Sequence, residues 1–226
     1  MKTATCRKGF ILFLLLVCAS CHSVSWKNNP LVIVSDRECE APCWQGITPG
    51  VTTFDEAKIL AQNITINISE NEVLLPDDVR VVDASSHFLT INFEKQSVAV
   101  RVEVDEQNIV DRISFYFDRK HRPELGEIIQ ILGEPESIGL CHDLFEIRRA
   151  IVHVSYPLVD MQFIRKLPIN GDTFTVSYSL KTRIDYLLYR ASSETLIQDF
   201  TFPWAEKGVL EFSPEKCNPE SDCCKP

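Results

Sequence analysis

The chain has 226 residues, with 23 Lys and Arg against 32 Asp and Glu and a formal net charge of −9. Both nucleic-acid binding and electrostatic attachment to anionic lipid need a basic surface, so this acidic balance argues against both. The length is enough for one large domain or two small ones that bury a sizeable core.

The N-terminus has the pattern of an export signal. Three basic residues precede an apolar run over residues 10–17, and small residues lead up to Cys21. Residues 1–20 are therefore predicted to be a signal peptide. The apolar run is shorter than the roughly 20 residues that a membrane-spanning helix needs, so a permanent transmembrane anchor is the weaker interpretation.

The residues Ala19-Ser20-Cys21 resemble the lipobox of bacterial lipoprotein signals. This resemblance implies that Cys21 becomes the mature N-terminus, carries the lipid and holds the protein on the extracytoplasmic side of the cell membrane. Two or more acyl chains anchor a protein stably, whereas one anchors it only marginally. The alternative is cleavage by an ordinary signal peptidase, which leaves a secreted product without lipid.

Six cysteines follow Cys21, and an even number in an exported chain favours disulfides. Cys39 and Cys43 enclose Pro42, which disfavours a helix and favours a small disulfide loop. Cys223 and Cys224 are adjacent, so a bond between them would be strained. The alternative for the tail cysteines is a thiolate metal site, but zinc sites use two spaced ligand pairs and a second pair is missing. The predicted disulfide cysteines are Cys39, Cys43, Cys141, Cys217, Cys223 and Cys224.

Residues 21–38 are predicted to be a tether, with the fold proper starting at Cys39. Thr53 and Glu56 form a capping-box pattern, so a helix is expected over 53–62. The segments that follow alternate apolar and polar residues with period two, which indicates half-buried strands of an antiparallel meander. These strands are expected around residues 89–93, 98–104 and 113–117.

The same order of elements then returns. A helix is predicted over 125–132, because Gly133 ends it and Pro135 prevents its continuation. Strands are predicted over residues 150–156, 159–164, 174–180 and 183–189. With a single offset of 71 residues, Phe54, Ala57 and Ala61 map onto Leu125, Ile128 and Leu132, and 112–115 maps onto 183–186.

This spacing predicts an α+β fold with a tandem repeat of two units, each a helix packed on an antiparallel meander sheet. The first unit is expected over residues 39–118 and the second over 119–212, with a cysteine-bearing tail at 213–226. Coincidence is the alternative, because amphipathic segments resemble one another.

The segment from Cys39 to Ala57 resembles the opening of uncharacterised bacterial lipoproteins of Chloroflexota type, which run C-x-x-P-C-W-x-G-I-x-P-G-x-T-T-x-x-E-A. Their second half has L-G-x-x-x-x-x-L-G-x-P-x-S, which matches residues 125–137. More remotely, the chain is similar to outer-membrane assembly lipoproteins of the SmpA/OmlA (BamE-like) kind and to the β-lactamase inhibitor protein, a tandem of such units. The resemblance implies a fold and no activity.

The sequence lacks the motifs of the common catalytic and metal sites, so no enzyme activity, metal or cofactor is predicted. Cys141 and His142 are neighbours on a predicted strand and would point to opposite faces, which argues against a thiol dyad. Two acidic pairs, Asp77 with Asp78 and Glu134 with Glu136, lie in proline-marked turns, where solvated carboxylates are usual.

The leading interpretation is a membrane-anchored extracytoplasmic lipoprotein that acts as a non-catalytic binding or envelope-assembly module. Its expected partners are the membrane, through the N-terminal lipid, and an envelope protein, peptide or glycan, with no nucleic acid. Trp44, Phe202 and Trp204 are the predicted partner-contacting aromatic residues, although Trp44 also fits a plug over the disulfide loop. The alternative functions are an extracytoplasmic hydrolase or thiol enzyme, and a soft-metal-binding lipoprotein.

Overall fold

A computed structural model describes residues 29–35, 39–64, 66–69, 72–74, 79–85, 87–143, 149–166, 174–192 and 200–212 of the chain. The predicted signal peptide, the lipid-attachment residue Cys21 and the tail at 213–226 lie outside the described residues. So do Asp77 and Asp78 and therefore one of the two acidic pairs. The described part is a mixed α and β structure that consists mostly of antiparallel sheet.

The helix that follows Thr53 begins with the capping box that the sequence predicts. The helices of the described part are α1 (Leu31–Val34), α2 (Phe54–Gln62) and α3 (Leu125–Leu132). At the start of α2, the Thr53 side chain accepts from the Glu56 amide and the Glu56 side chain accepts from the Thr53 amide. At the start of α3, the Glu124 amide donates to the Glu127 carboxylate at 2.7 Å, and the Glu127 amide donates to the Glu124 backbone carbonyl at 3.0 Å. These bonds satisfy helix amides that have no partner within the helix. Both predicted helices are confirmed.

The strands of the described part are three to eight residues long. In chain order they are β1 (Ile66–Ser69), β2 (Glu72–Leu74), β3 (Val79–Ala84), β4 (Phe88–Phe93), β5 (Val98–Val104), β6 (Val110–Phe117), β7 (Ser137–Asp143), β8 (Arg149–Ser155), β9 (Val159–Lys166), β10 (Phe174–Ser179), β11 (Tyr186–Arg190), β12 (Phe200–Pro203) and β13 (Lys207–Phe212). The predicted strand over 183–189 starts later than expected, because Arg183 bridges to Glu124 at the start of α3.

Nine strands form one antiparallel sheet in the order β12-β7-β8-β9-β11-β6-β5-β4-β3. Strands β6 and β11 pair at its centre, with Tyr116 opposite Tyr186 and Arg112 opposite Arg190. Strands from both halves of the chain therefore share one sheet. Pairing β6 with β11 removes two exposed strand edges, each of which would leave a row of unpaired backbone groups. The predicted strand β10 pairs outside this sheet, with β13.

One face of the large sheet carries the hydrophobic core. Alternate residues of β4, β5 and β6 are fully or almost fully buried there, and the buried residues of all three helices belong to the same cluster. Helix α1 is part of this core, since Val32, Ile33 and Val34 are at most 7% exposed. The prediction that the fold starts at Cys39 is therefore wrong. Burying the apolar side chains of the expected tether lowers the free energy relative to leaving them exposed to water.

Candidate functional site

The face of the large sheet opposite the core is the open face. Its members are the side chains that alternate with the core residues along the strands. Leu188 of this face is buried, yet it does not belong to the core cluster that contains the helices, so the described helices pack on the other side. The residues of this face on β4, β5, β6, β11 and β9 are Thr90, Asn92, Ala99, Arg101, Glu103, Arg112, Ser114, Tyr116, Asp160, Gln162, Tyr186, Leu188 and Arg190. Of these, Ser114, Asp160 and Leu188 are buried.

A continuous row of side chains crosses this face from strand to strand. The strand register places the following residues side by side: Asn92, Ala99, Tyr116, Tyr186, Gln162, His153, Gly139 and Thr201. Eight strands at a spacing of about 4.8 Å make this row roughly 34 Å long. It is composed of amide, aromatic and small side chains rather than of aliphatic ones. The part of the row from Asn92 to Gln162 is partly or fully exposed and offers stacking surfaces and hydrogen-bonding groups together, whereas His153 and Gly139 are buried.

The tyrosine pair at the centre of the row joins the two halves of the chain. The rings of Tyr116 and Tyr186 lie 5.0 Å apart between centroids, with an interplanar angle of 53°. Tyr116 is 43% exposed. The Tyr186 hydroxyl lies 2.8 Å from the Ser114 hydroxyl, and burial raises the pKa of Tyr186 above the ordinary tyrosine value. The Tyr186 ring is therefore fixed by burial and by its hydroxyl contact, while the Tyr116 ring is exposed to solvent.

A shallow groove of about 340 Å³ lies beside Tyr116 on the first half of the sheet, a volume within the usual range for ligand sites. Its polar lining includes Asn92, Glu94, Ser97 and Asp118. The Asp118 carboxylate accepts a hydrogen bond from the Lys120 amide, and this bond lowers its pKa. The groove extends the row past the edge of the tyrosine pair.

A buried polar network lies next to the row on the second half. Asp160 is fully buried, and its carboxylate accepts hydrogen bonds from Ser155 at 3.0 Å and Gln162 at 3.2 Å. The His153 Nδ1 atom lies 2.8 Å from Asp160. In a serine hydrolase the serine hydroxyl meets the histidine, whereas here Ser155 donates to the carboxylate and His153 is only 6% exposed. The network links β8 to β9 through the Asp160 carboxylate.

Three arginines gather at one end of the open face, on the central strands. Glu103 lies 2.9 Å from the Nε of Arg101 and 3.3 Å from the Nε of Arg112. Arg190 is directly opposite Arg112 in the β6–β11 register. The guanidinium of Arg101 also stacks over the Phe88 ring at 4.1 Å from its centroid. We call Arg101, Arg112 and Arg190 the arginine patch.

The structure does not bring the predicted aromatic residues together into a site. Trp44 is fully buried, its ring contacts Phe93 and Phe115 edge-on, and it donates to a backbone carbonyl, so its prediction as a partner-contacting residue is wrong. Phe202 is partly buried against the core. Trp204 is also partly buried, and its Nε1 donates to Glu134 at 2.7 Å.

Of the predicted disulfide cysteines, Cys39 and Cys43 are bonded to each other, with a Cα–Cα distance of 5.6 Å. Cys141 and His142 both lie in β7. The three tail cysteines lie outside the described residues. The described residues contain no group of three or more His, Cys, Asp or Glu that could hold a metal ion. None of the helices in this part of the chain is long and apolar enough to cross a membrane.

The residues of the open face were missed by the sequence analysis, although a signal for them exists. In the strands with alternating apolar residues, the intervening positions hold residues of the open face, such as Arg101, Ser114 and Tyr116. A strand buried on one side presents these intervening residues to the other side. Only the strand order shows that the open-face residues of the two halves of the chain are neighbours, and no local sequence pattern predicts that order.

Comparisons with known proteins provide no relative to which this site can be matched. No protein-family model matches the chain. No curated protein and no solved structure matches it either. The fold and the candidate site therefore depend on the residues of this chain alone.

Proposed function

We propose that the protein is a membrane-anchored extracytoplasmic lipoprotein that acts as a non-catalytic binding or envelope-assembly module and contacts its partner through the open face. The observation that carries the proposal is the row of amide and aromatic side chains centred on Tyr116 and Tyr186. Tyrosine supplies a large contact area together with a hydroxyl group, which is why it is enriched where proteins bind partners.

The anchoring part of the proposal rests on the lipobox-like residues before Cys21 and is compatible with the Cys39–Cys43 disulfide, since such bonds persist in oxidising compartments. The core begins close to this cysteine, because α1 starts at Leu31. The ten residues from Cys21 to Leu31 span at most about 35 Å when fully extended. The open face would therefore work close to the membrane, where an envelope protein, peptide or glycan is within reach.

We also propose that the two halves are a tandem repeat of one helix-and-strand unit. In each half, the backbone amide of the first helix residue donates to a backbone carbonyl that lies just before β6 or β11. The amide two residues after that carbonyl donates back to the carbonyl two residues before the helix. The two sets are Phe54 to Asn108 (2.9 Å) with Val110 to Thr52 (2.9 Å), and Leu125 to Thr182 (2.7 Å) with Ile184 to Pro123 (2.9 Å). These bonds give Ile184 the same position as Val110, whereas the 71-residue offset of the helices would give it the position of Ile113. A single offset therefore does not align both the helix and the strand of the two halves.

The test is site-specific photocrosslinking in native membranes. A photoreactive amino acid replaces Tyr116 on the open face, and the same residue replaces exposed Gln130 on α3 as the matched control. We expect a discrete adduct with an envelope protein, peptide or glycan from position 116 and none from position 130. Equal labelling at both positions, or none at either, would refute the open face as the contact surface.

The anchor is tested separately with a Cys21→Ala variant. We expect the wild-type protein to fractionate with membranes and to carry a lipid on Cys21, as measured by intact mass spectrometry. The variant should lose both the lipid and the membrane fractionation. Recovery of an unlipidated wild-type N-terminus would overturn the anchor without affecting the crosslinking result.

A further inference from the structure

A short side chain between two longer ones forms the floor of the groove beside Tyr116. Asn92, Ala99 and Tyr116 are neighbours in one row across β4, β5 and β6, and all three line the groove. Asn92 and Tyr116 are two strand spacings apart, about 9.6 Å. The methyl group of Ala99 is too short to fill the space between them. The groove is therefore a consequence of this one small residue in the middle of the row.

The Tyr116 ring is supported on one side and open on the other. On the β11 side it meets the Tyr186 ring, with 5.0 Å between the centroids. On the β5 side its neighbour is Ala99, whose methyl group covers little of the ring, and Tyr116 is 43% exposed. An aromatic ring of this kind offers a flat apolar surface in a fixed orientation. Because the ring is already immobilised, a flat ligand that stacks on it loses less entropy on binding.

Hydrogen-bonding groups lie around this apolar surface. The Asn92 carboxamide has two N–H donors and an acceptor oxygen, and Asn92 is only partly buried. The Asp118 carboxylate accepts a bond from the Lys120 amide at 2.9 Å, yet its side chain is 54% exposed and so remains within reach of a ligand. The bond from Lys120 lowers the pKa of Asp118, so this carboxylate is a hydrogen-bond acceptor at neutral pH. A ligand in the groove therefore meets a flat ring, an amide and a charged acceptor together.

The charges around the groove are mixed in sign. The carboxylates of Glu94 and Asp118 line it. Three basic residues, Lys95, Arg119 and Lys120, lie in the same two turns. The arginine patch lies further along the strands and does not line the groove. A ligand of strong net charge would be repelled by some of these groups, so electrostatic complementarity favours a polar ligand without charge.

The edges of the large sheet are poorly suited to an extended peptide. Peptides commonly bind to a sheet as an added strand at an exposed edge. The two edge strands are β3 and β12. The pairing of β3 shifts register between Val81 and Asp83, and β12 is four residues long and ends at Pro203. Bulges, short strands and proline all hinder the addition of a strand, which favours a partner that binds to the face.

We propose that the groove beside Tyr116 binds one sugar ring of a neutral glycan, with the sugar stacked on Tyr116 and its hydroxyl groups bonded to Asn92 and Asp118. This inference rests on the proposed function and selects the glycan among the partners named there. A pyranose ring has C–H groups on its flat faces, and the electron-rich face of a tyrosine ring attracts them. The hydroxyl groups at the edge of the sugar both donate and accept, so they pair with a carboxylate and with either end of an amide.

The experiment titrates cellohexaose and chitohexaose into the full-length protein and measures the heat of binding by calorimetry. The protein is kept in a detergent without a sugar headgroup, so that the detergent does not compete. We expect saturable binding of at least one oligosaccharide that changes little with salt, because the ligand is uncharged. Saturation-transfer NMR should show the strongest transfer at the C–H protons of the sugar, which stacking places against Tyr116. Sorbitol has the hydroxyl groups but no ring and should not bind at the same concentrations.

The main variant fills the groove and removes none of its hydrogen-bonding groups. Ala99→Leu places a larger side chain on the floor of the groove and should abolish binding. The matched control is Thr90→Leu, which adds a leucine to the same face of β4 outside the groove and should change the affinity less than about twofold. Tyr116→Ala should weaken binding by about tenfold, because it removes the stacking surface, whereas Tyr116→Phe should keep most of the affinity. If Ala99→Leu melts well below Thr90→Leu, the comparison of the two Tyr116 variants decides instead.

Several other results would overturn the inference. Oligosaccharide binding that persists in Ala99→Leu would place the sugar elsewhere on the protein. Equal binding of sorbitol would show a contact with hydroxyl groups alone, without stacking. If neither oligosaccharide binds but position 116 still crosslinks to an envelope protein or peptide, the glycan inference falls and the proposed function stands. If neither oligosaccharide binds and position 116 gives no adduct, both fall together.

Discussion

Replacing Trp44 by Phe removes a buried hydrogen bond that ties α1 to the disulfide loop. The Trp44 Nε1 donates to the Ile33 carbonyl at 2.7 Å, and both residues are at most 1% exposed. Phenylalanine keeps an aromatic ring that can still contact Phe93 and Phe115, but it has no donor. The Ile33 carbonyl would therefore be left without this donor in a place that water cannot easily reach.

The expected loss of unfolding free energy is about 1.5–4.5 kcal/mol. An unsatisfied buried polar group costs about 1–3 kcal/mol. The smaller ring also leaves a cavity, and small deletions in a core cost about 0.5–1.5 kcal/mol. Urea unfolding followed by circular dichroism measures the sum, and hydrogen exchange of the α1 amides should rise, because the helix loses its attachment.

The matched control is Trp204→Phe. It removes the same indole donor, but its acceptor Glu134 is an exposed carboxylate that water can solvate. The cost should therefore stay below about 1 kcal/mol. Equal costs for the two variants would refute the assignment of Trp44 to the core. A Trp44→Phe variant with wild-type stability and a lost crosslink at position 116 would return Trp44 to the partner-contacting residues.

Three further predictions test the fold. Thr53→Ala removes the capping box with Glu56 and should lower the unfolding free energy by about 1 kcal/mol in urea titrations, and no change would contradict a cap contribution. Gly208→Ala would place a Cβ 2.8 Å from the Tyr178 ring, so a loss of about 1–3 kcal/mol is expected, and wild-type stability would show that the ring moves freely. The raised pKa of Tyr186 means that the unfolded state loses the phenol proton first, near its ordinary value of 10.0, so the stability contribution is complete below that pH and declines above it. Unfolding midpoints from about pH 8 to about pH 11 should therefore fall less steeply in Tyr186→Phe, and an unchanged slope would refute the role of this phenol.

Local chemistry in the sequence was sufficient for α2 and α3 and for seven of the thirteen described strands, β4–β6 and β8–β11. The capping box at Thr53 and the stop at Gly133 depend only on residues within one turn, and both α2 and α3 lie where they were predicted. The period-two alternation likewise indicated β4, β5 and β6, because one buried face is enough to produce it.

The irregular and edge elements were harder to predict. Helix α1 is four residues long, and its sequence predicts the end of a tether, although its apolar side chains belong to the core. Strand β7 was not predicted, and its glycine and polar residues give a weak alternating signal. Strand β10 was predicted, but its partner β13 follows after an intervening strand, and sequence patterns do not specify which strands pair.

The sequence by itself determined the acidic charge, through composition, and the disulfide loop at Cys39 and Cys43, the helices α2 and α3 and the strands β4, β5 and β6, because each of these depends on neighbouring residues. Only the tertiary structure decided that both halves share one sheet and that Tyr116 meets Tyr186 and Arg112 meets Arg190. These pairs are about 70 or more residues apart in the chain. Their contact depends on the β6–β11 pairing, which satisfies two strand edges at once and leaves no trace in any local pattern.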